Sequence, residues 1–365
     1  MAPATSDRRT VLVVDDSPFV RRVVRDVIDA APDFVVVGEA SDGYAALRQV
    51  HALSPDLVTL DVEMPALDGL QTLGYVMSEA PRPVVMLSAL DSRDGADLTL
   101  RALELGAVDF VRKPARDDGL DLATLRVRLL SALRAAAESR CGPVPLLTRA
   151  LPRLTPKPSD GASKPPSRVV VIAASTGGPR ALSEIVPALP PLPGTAVLIV
   201  QHMPSGFTRS LARRLDELSV LRVTEARDGE ALVAGRVWVA PGGTHLLVRP
   251  EADGSPRLAV AAGPPIHGVR PAADPLLQSV AACFGARVVA VILTGMGSDG
   301  AAGLAAVRAA GGFAIVQDRE SSIVYGMPQA ALARAGADRV SPLGGVAAAI
   351  LAGLSARGAG ERAGA

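Results

Sequence analysis

Short apolar runs that stop abruptly at a polar residue recur along this 365-residue chain, and most lead into a stretch with helical spacing. Val11-Leu12-Val13-Val14 stops at Asp15-Asp16, and Phe19 to Ala30 then repeats its apolar residues at helical intervals. Val35-Val36-Val37, Leu57-Val58-Thr59-Leu60, Val84-Val85-Met86-Leu87 and Val108-Asp109-Phe110-Val111 continue the series. It resumes at Val169-Val170-Val171, Val197 to Val200, Val288 to Leu293 and Phe313 to Val316. Helices are expected from Pro179, over Phe207 to Leu218 and over Met327 to Ala335. Parallel strands need a crossover that packs on the sheet, so this alternation predicts α/β domains with doubly wound parallel sheets. Functional residues in such sheets lie beyond the carboxyl ends of the strands. Val237-Trp238-Val239 and Leu246-Leu247-Val248 suggest a hairpin inside the second series.

Between the two series, Pro143, Pro145, Pro152, Pro156, Pro158, Pro165 and Pro166 exclude a continuous helix. The expected organisation is therefore a first domain over 10–137, a semi-rigid linker over 138–167, a second domain over 168–355 and a frayed Gly/Ala/Arg tail over 356–365. The length supports two separate cores. A hydrophobic content of 48% with 21% charged residues is that of a globular chain. The net charge of +1 argues against a broad nucleic-acid-binding surface. Cys141 and Cys283 lie far apart without metal-ligand spacing, which predicts free thiols in a reducing compartment. Met1 to Thr10 has no apolar signal-peptide core, and no apolar stretch is long enough to insert into a membrane. The expected location is the cytoplasm.

At the strand ends of the first series stand Asp15-Asp16, Asp61, Ser88 and Lys113. Converging carboxylates make a hard oxygen site suited to Mg²⁺, which keeps several waters and joins a phosphoryl group. Asp61 can then act as a phosphoryl acceptor, Ser88 can hydrogen-bond a phosphoryl oxygen and Lys113 can supply a compact positive charge. Each alone is an ordinary loop residue; together and in this order they form a site. The region from about Thr10 to Ala137 resembles the response-regulator receiver domain, including Leu60-Asp61-Val62-Glu63-Met64-Pro65 and Lys113-Pro114. The resemblance implies a flavodoxin-like fold and phosphorylation of Asp61 by a histidine kinase. It also implies Mg²⁺ held by Asp15, Asp16, Asp61 and the Glu63 carbonyl, with Ser88 and Phe110 as the switch pair.

In the second series, Ser175 follows a buried strand and precedes Thr176-Gly177-Gly178 and a helix start, an exposed position for a nucleophile. His202 follows another strand, and Asp299 lies in a glycine-rich loop after a third. Three strand ends of one sheet can converge, so Ser175, His202 and Asp299 form a plausible triad, although no G-x-S-x-G elbow is present. Read singly, Ser175 to Gly178 can be a helix cap or phosphate cradle, His202 a core histidine and Asp299 a turn residue. From about Val169 to Leu351 the chain is similar to the catalytic domain of the chemotaxis protein-glutamate methylesterase family. The matching stretches are Ala174-Ser175-Thr176-Gly177-Gly178, Gln201-His202-Met203-Pro204, Gly206-Phe207-Thr208-Arg209 and Thr294-Gly295-Met296-Gly297-Ser298-Asp299-Gly300.

This second resemblance implies a Rossmann-like esterase domain with Ser175 as nucleophile, His202 as base and Asp299 as its orienting carboxylate. It implies oxyanion donors at the Met296 backbone N–H, assisted by Thr176. It also implies methyl-accepting chemoreceptors as substrates, with glutamine deamidation as a second activity, and a receiver that covers the cleft until phosphorylated. Two departures stand out: Ala173 where the family usually has glycine, and Val269-Arg270-Pro271-Ala272 where it usually has His-Arg-Pro-Ser. The alternatives are a phosphorylation-controlled adaptor with a degenerate esterase domain and, last, a nucleotide-binding effector, for which no G-x-G-x-x-G or Walker pattern opens the second domain.

Overall fold

The computed structural model describes residues 8–88, 93–113, 122–139, 157 and 164–356. The chain divides into two compact units, Met1–Arg149 and Ala150–Ala365. Most of the expected linker, the tail beyond Ala356, Pro114 and Cys141 lie outside the described residues. Among the described residues no helix is long and apolar enough to cross a membrane.

The first unit runs β1 (Arg9–Val14), α1 (Pro18–Asp29), β2 (Phe34–Ala40), α2 (Gly43–Leu53), β3 (Leu57–Asp61), α3 (Gly69–Glu79), β4 (Val84–Ser88), α4 (Arg93–Glu104), β5 (Asp109–Arg112) and α5 (Leu122–Glu138). Its five strands lie in the order β2-β1-β3-β4-β5, and every pair is parallel. All residues of β3 and β4 are buried, which is why their sequences read as continuous apolar runs rather than alternations. The helices start on local signals. Ser17 caps α1 with Pro18 in its first turn, Asp42 caps α2, and Asp68 with Gln71 forms a capping box on α3. The strand order reverses between β1 and β3, and this opens a crevice at their carboxyl ends.

The second unit begins with β6 (Arg168–Ala174), α6 (Gly178–Ala188), β7 (Thr195–Gln201), α7 (Phe207–Leu218), β8 (Arg222–Glu225) and β9 (Arg236–Val239). It continues with β10 (His245–Pro250), β11 (Pro256–Ala261), α8 (Ala273–Phe284), β12 (Val288–Ile292), α9 (Ala301–Ala309), β13 (Phe313–Gln317), α10 (Met327–Ala335), β14 (Arg339–Ser341) and α11 (Val346–Ala356). Seven strands form one parallel sheet in the order β14-β13-β12-β6-β7-β9-β8. β6 sits at the centre, between β12 and β7, so the chain first winds to one side and then to the other.

The expected hairpin is corrected in its pairing. Val237-Trp238-Val239 belongs to β9, which runs parallel to β7 and β8. Leu246-Leu247-Val248 lies in β10, which pairs antiparallel with β11 as a separate two-stranded ribbon. Both runs are apolar for different reasons: Trp238 is fully buried in the main sheet, whereas β10 lays its buried face against α8. Periodicity reports that a face is covered, not which neighbour covers it.

Candidate active site

At the carboxyl edge of the first sheet, Asp15 follows β1, Asp61 ends β3, Ser88 ends β4 and Lys113 follows β5. Asp15, Asp61 and Ser88 are all buried, whereas Asp16 is exposed. Lys113 Nζ lies 2.9 Å from Asp15 Oδ2 and 2.5 Å from Asp61 Oδ2. Asp15 Oδ1 accepts from the Ser17 N–H at 2.9 Å, and Asp61 Oδ1 accepts from the Glu63 N–H at 3.1 Å. Apart from the ammonium, no donor among the described residues reaches the two buried Oδ2 atoms. Burial raises the Asp61 carboxyl to about 6; Lys113 pulls it down and Asp15 pushes it further up. Burial likewise raises Asp15, against the pull of Lys113.

One oxygen each of Asp15, Asp16 and Asp61 lies within 4.8 Å of the others, a donor set that fits a hard divalent cation. Ser88 Oγ accepts a 2.8 Å hydrogen bond from the buried Thr99 of α4. Thr99 carried no signal in the sequence, because a threonine inside a helix gives no hint of what it faces. Phe110 is half-buried on β5.

In the second unit the ladder continues past the strand ends and draws three loops together. The Ser175 N–H donates to the Thr294 carbonyl at 3.0 Å, His202 N–H to the Ala174 carbonyl at 3.1 Å, and Leu293 N–H to the Ala173 carbonyl at 2.9 Å. Gly295 permits the approach. A Cβ built there would lie 2.6 Å from Ser175 Cβ and 2.5 Å from the Met327 sulfur. Met296, Gly297 and Ser298 form an exposed bend after the buried Gly295, and Thr176 is buried just before α6.

His202 Nε2 and Asp299 Oδ2 are 2.7 Å apart, both side chains nearly fully buried. Asp299 also accepts from the first two N–H groups of α8, Ala273 to Oδ2 at 2.6 Å and Asp274 to Oδ1 at 3.1 Å. An ionised carboxylate can only accept, so Nε2, which faces it, is the protonated ring nitrogen. His202 Nδ1 is buried with no hydrogen-bond partner among the described residues, so its lone pair is available. Burial pushes the Asp299 carboxyl up, but the His202 hydrogen bond and charge and the two α8 N–H groups hold it below its ordinary value. The helix N-terminus favours the anion as well.

The departures fit this geometry. Ala173 is fully buried in the core of the second unit, where its methyl adds packing. Ala272 is the N-cap of α8 and makes no side-chain cap. A serine there would gain little: the Asp274 N–H is already held by Asp299, and Pro275 has no N–H. Val269 closes a tight turn through His267 and Gly268, exchanging backbone hydrogen bonds with Ile266 at 3.0 and 3.1 Å. Sequence reasoning missed three supporting groups: Gln201, whose amide reaches the Ser175 carbonyl at 2.9 Å; His245, whose Nδ1 accepts from the Ala272 N–H at 3.2 Å; and Asp274. Gln201 had the one available signal, adjacency to His202 at a strand end.

Residues 11–124 match the family described as the response regulator receiver domain. The first unit's fold and acidic site thus define the class: a response regulator with an α/β output unit. Residues 170–350 match CheB methylesterase. The protein-glutamate methylesterase/protein-glutamine glutaminase of Symbiobacterium thermophilum is 47% identical over 93% of this chain and 95% of its own length. Those of Pyrococcus horikoshii and Geobacillus kaustophilus are 43% and 44% identical, each over 93% of this chain and over 92% and 97% of their own lengths. The chain belongs to the CheB methylesterase family.

Proposed function

We propose that this chain hydrolyses glutamate methyl esters, and deamidates glutamines, on the cytoplasmic domains of methyl-accepting chemoreceptors. The His202–Asp299 contact at 2.7 Å, with the second ring nitrogen buried and unpartnered among the described residues and with His202 following β7, the neighbour of the strand that leads into Ser175, carries this reading. Ser175 Oγ bonds to the ester carbonyl carbon and gives its proton to His202 Nδ1. Here the base is Nδ1, because Nε2–H is committed to Asp299. The imidazolium is stabilised by the Asp299 carboxylate, and the oxyanion by the Met296 N–H with Thr176 assisting. His202 returns the proton to the departing methoxy oxygen, and methanol leaves. Water then attacks the acyl-enzyme by the same route and frees the glutamate; with glutamine as substrate, ammonia leaves in place of methanol.

Control resides in the receiver unit. A chemotaxis histidine kinase phosphorylates Asp61, and Lys113 and Ser88 bind the phosphoryl oxygens. Asp15, Asp16, Asp61 and the Glu63 carbonyl would hold Mg²⁺, which when bound neutralises charge on the transferring phosphoryl group. Ser88 and Phe110 report the modification, and the receiver's inhibitory state loses population. The protein acts in the cytoplasm. The domain limits 10–137 and 168–355 are the working boundaries of the two activities.

The test is methanol release from methylated receptor membranes by wild type and Ser175→Ala, each with and without a small phosphodonor. Release that needs Ser175 and rises with the phosphodonor supports both parts. Unchanged release by Ser175→Ala refutes the nucleophile, and folded, phosphorylated wild type that releases nothing favours an adaptor.

A further inference from the structure

Gln201, the last residue of β7, is 2% exposed, and its side chain takes no part in the chemistry described above. Its Nε2 donates to the Ser175 carbonyl at 2.9 Å and to the His202 carbonyl at 3.3 Å. Two carbonyl acceptors can be served only by the NH₂ end of an amide, which fixes the orientation of the group. The other end, Oε1, is buried and has no hydrogen-bond partner among the described residues. An orphaned buried acceptor is a cost that native proteins rarely carry without a function. The fold also makes room for it: a Cβ at Gly178, the first residue of α6, would lie 1.9 Å from Oε1. Gly178 is not at positive φ, so it is needed for space and not for backbone conformation.

We infer that the Gln201 amide is a positioning residue that locks nucleophile and base together, holding the carbonyls of Ser175 and His202 from one buried NH₂ group. The inference rests on the Ser175–His202 reading given under the proposed function. Ser175 lies on β6's exit and His202 on β7's, and backbone pairing alone leaves each loop free to turn about its last ladder bond. The Ser175 carbonyl is gripped from two sides, by Gln201 and by the Gly178 N–H at 2.7 Å. That carbonyl shares one planar trans peptide with the Thr176 N–H, which therefore points the opposite way. Fixing the carbonyl thus fixes the turn from which the serine side chain projects and the direction of the next N–H. The second bond, to His202, ties the base to the same anchor. Reacting groups held this way lose little motion on reaching the transition state, and misplacement of about 1 Å costs on the order of 100-fold in rate.

The experiment uses the full-length chain activated with a small phosphodonor and compares wild type, Gln201→Met, Gly178→Ala and Ser175→Ala. Methionine keeps the length and removes both donors; alanine at 178 puts a methyl where Oε1 lies. Readouts are kcat and KM for methanol release from methylated receptor membranes, the rate of serine labelling by a fluorophosphonate, and thermal unfolding. The expected result for Gln201→Met is a kcat lower by roughly 10- to 100-fold, KM within about twofold, and labelling slowed in proportion. Gly178→Ala should move the same parameters in the same direction, and it decides the matter if the methionine variant fails to fold. Folded variants with kcat and labelling within about twofold of wild type would overturn the inference, as would a loss confined to KM. Ser175→Ala separates the two levels. If it still releases methanol, the nucleophile reading itself fails; if it is inactive while Gln201→Met is unimpaired, only the Gln201 inference fails.

Discussion

Replacing Asp299 by Asn tests the charge of the buried carboxylate with little change of shape. Asp299 Oδ2 accepts two donors, His202 Nε2 at 2.7 Å and the Ala273 N–H at 2.6 Å, whereas Oδ1 accepts one, the Asp274 N–H at 3.1 Å. The asparagine amide will turn its oxygen to the side with two donors and its NH₂ to the Asp274 N–H. His202 then keeps its Nε2–H tautomer, and Nδ1 keeps its lone pair. What disappears is the negative charge that stabilises the imidazolium. Two unit charges about 4 Å apart at an effective dielectric of about 20 attract by about 4 kcal/mol. The expected loss is therefore roughly 10³-fold in kcat with KM nearly unchanged. The donor facing Asp274 costs a further 1–3 kcal/mol or so of stability. Asp299→Ala, which orphans all three donors, should destabilise more.

Methanol release gives kcat, ¹⁵N NMR of His202 gives the tautomer, and urea unfolding against pH gives the stability. Asp299 is held below its ordinary value of 3.8 in the folded chain, so its contribution is present above that pH and lost as pH falls through the folded value. The stability gap between wild type and Asp299→Asn should accordingly narrow below about pH 4. A variant within tenfold or so of wild-type kcat, with the tautomer unchanged, would refute the electrostatic argument.

Asp61→Asn should abolish the rise in esterase rate on adding phosphodonor, and EDTA should do the same to wild type by removing the divalent cation; stimulation that survives either would place the switch elsewhere. A truncated chain beginning at Ser167 should release methanol without phosphodonor faster than the unphosphorylated full-length protein, and an equal rate would sink receiver inhibition. Ser175→Ala should lower release by at least about 10³-fold, read in the same assay. Ala272→Ser should change unfolding free energy by no more than about 0.5 kcal/mol, because α8 offers no unsatisfied N–H to a new cap; a gain above about 1 kcal/mol in a urea titration would contradict that account.

Much of this was legible in the chain because parallel sheets write themselves locally. A strand buried on both faces must be a short apolar run, and the first polar residue after it falls at the sheet's mouth. The positions of Asp15, Asp61, Ser88 and Lys113 at strand ends were read that way, as were those of Ser175, His202 and the Asp299 loop. The pairing of β10 with β11, and not with the Trp238 strand, was not legible, since both runs are equally apolar and only packing against α8 distinguishes them. Thr99 and Asp274 were silent for a related reason, and Gln201 signalled only by standing next to His202 at a strand end. Each is a polar residue within or at the end of a regular element, and its side chain's partner lies well away in sequence: Ser88 for Thr99, Ser175 for Gln201 and the Gly303 N–H for Asp274.

The sequence by itself determined the two α/β units, the order of their elements and the residue types at each strand end, because these follow from burial patterns a few residues long. Only the tertiary structure decided which ring nitrogen of His202 faces Asp299 and which has no partner among the described residues, that Asp299 sits on the N-terminus of α8, and that one glutamine amide donates to the carbonyls of both Ser175 and His202. Those facts depend on directions and distances of about 3 Å between groups up to 97 residues apart in the chain, and a linear pattern carries no information about direction.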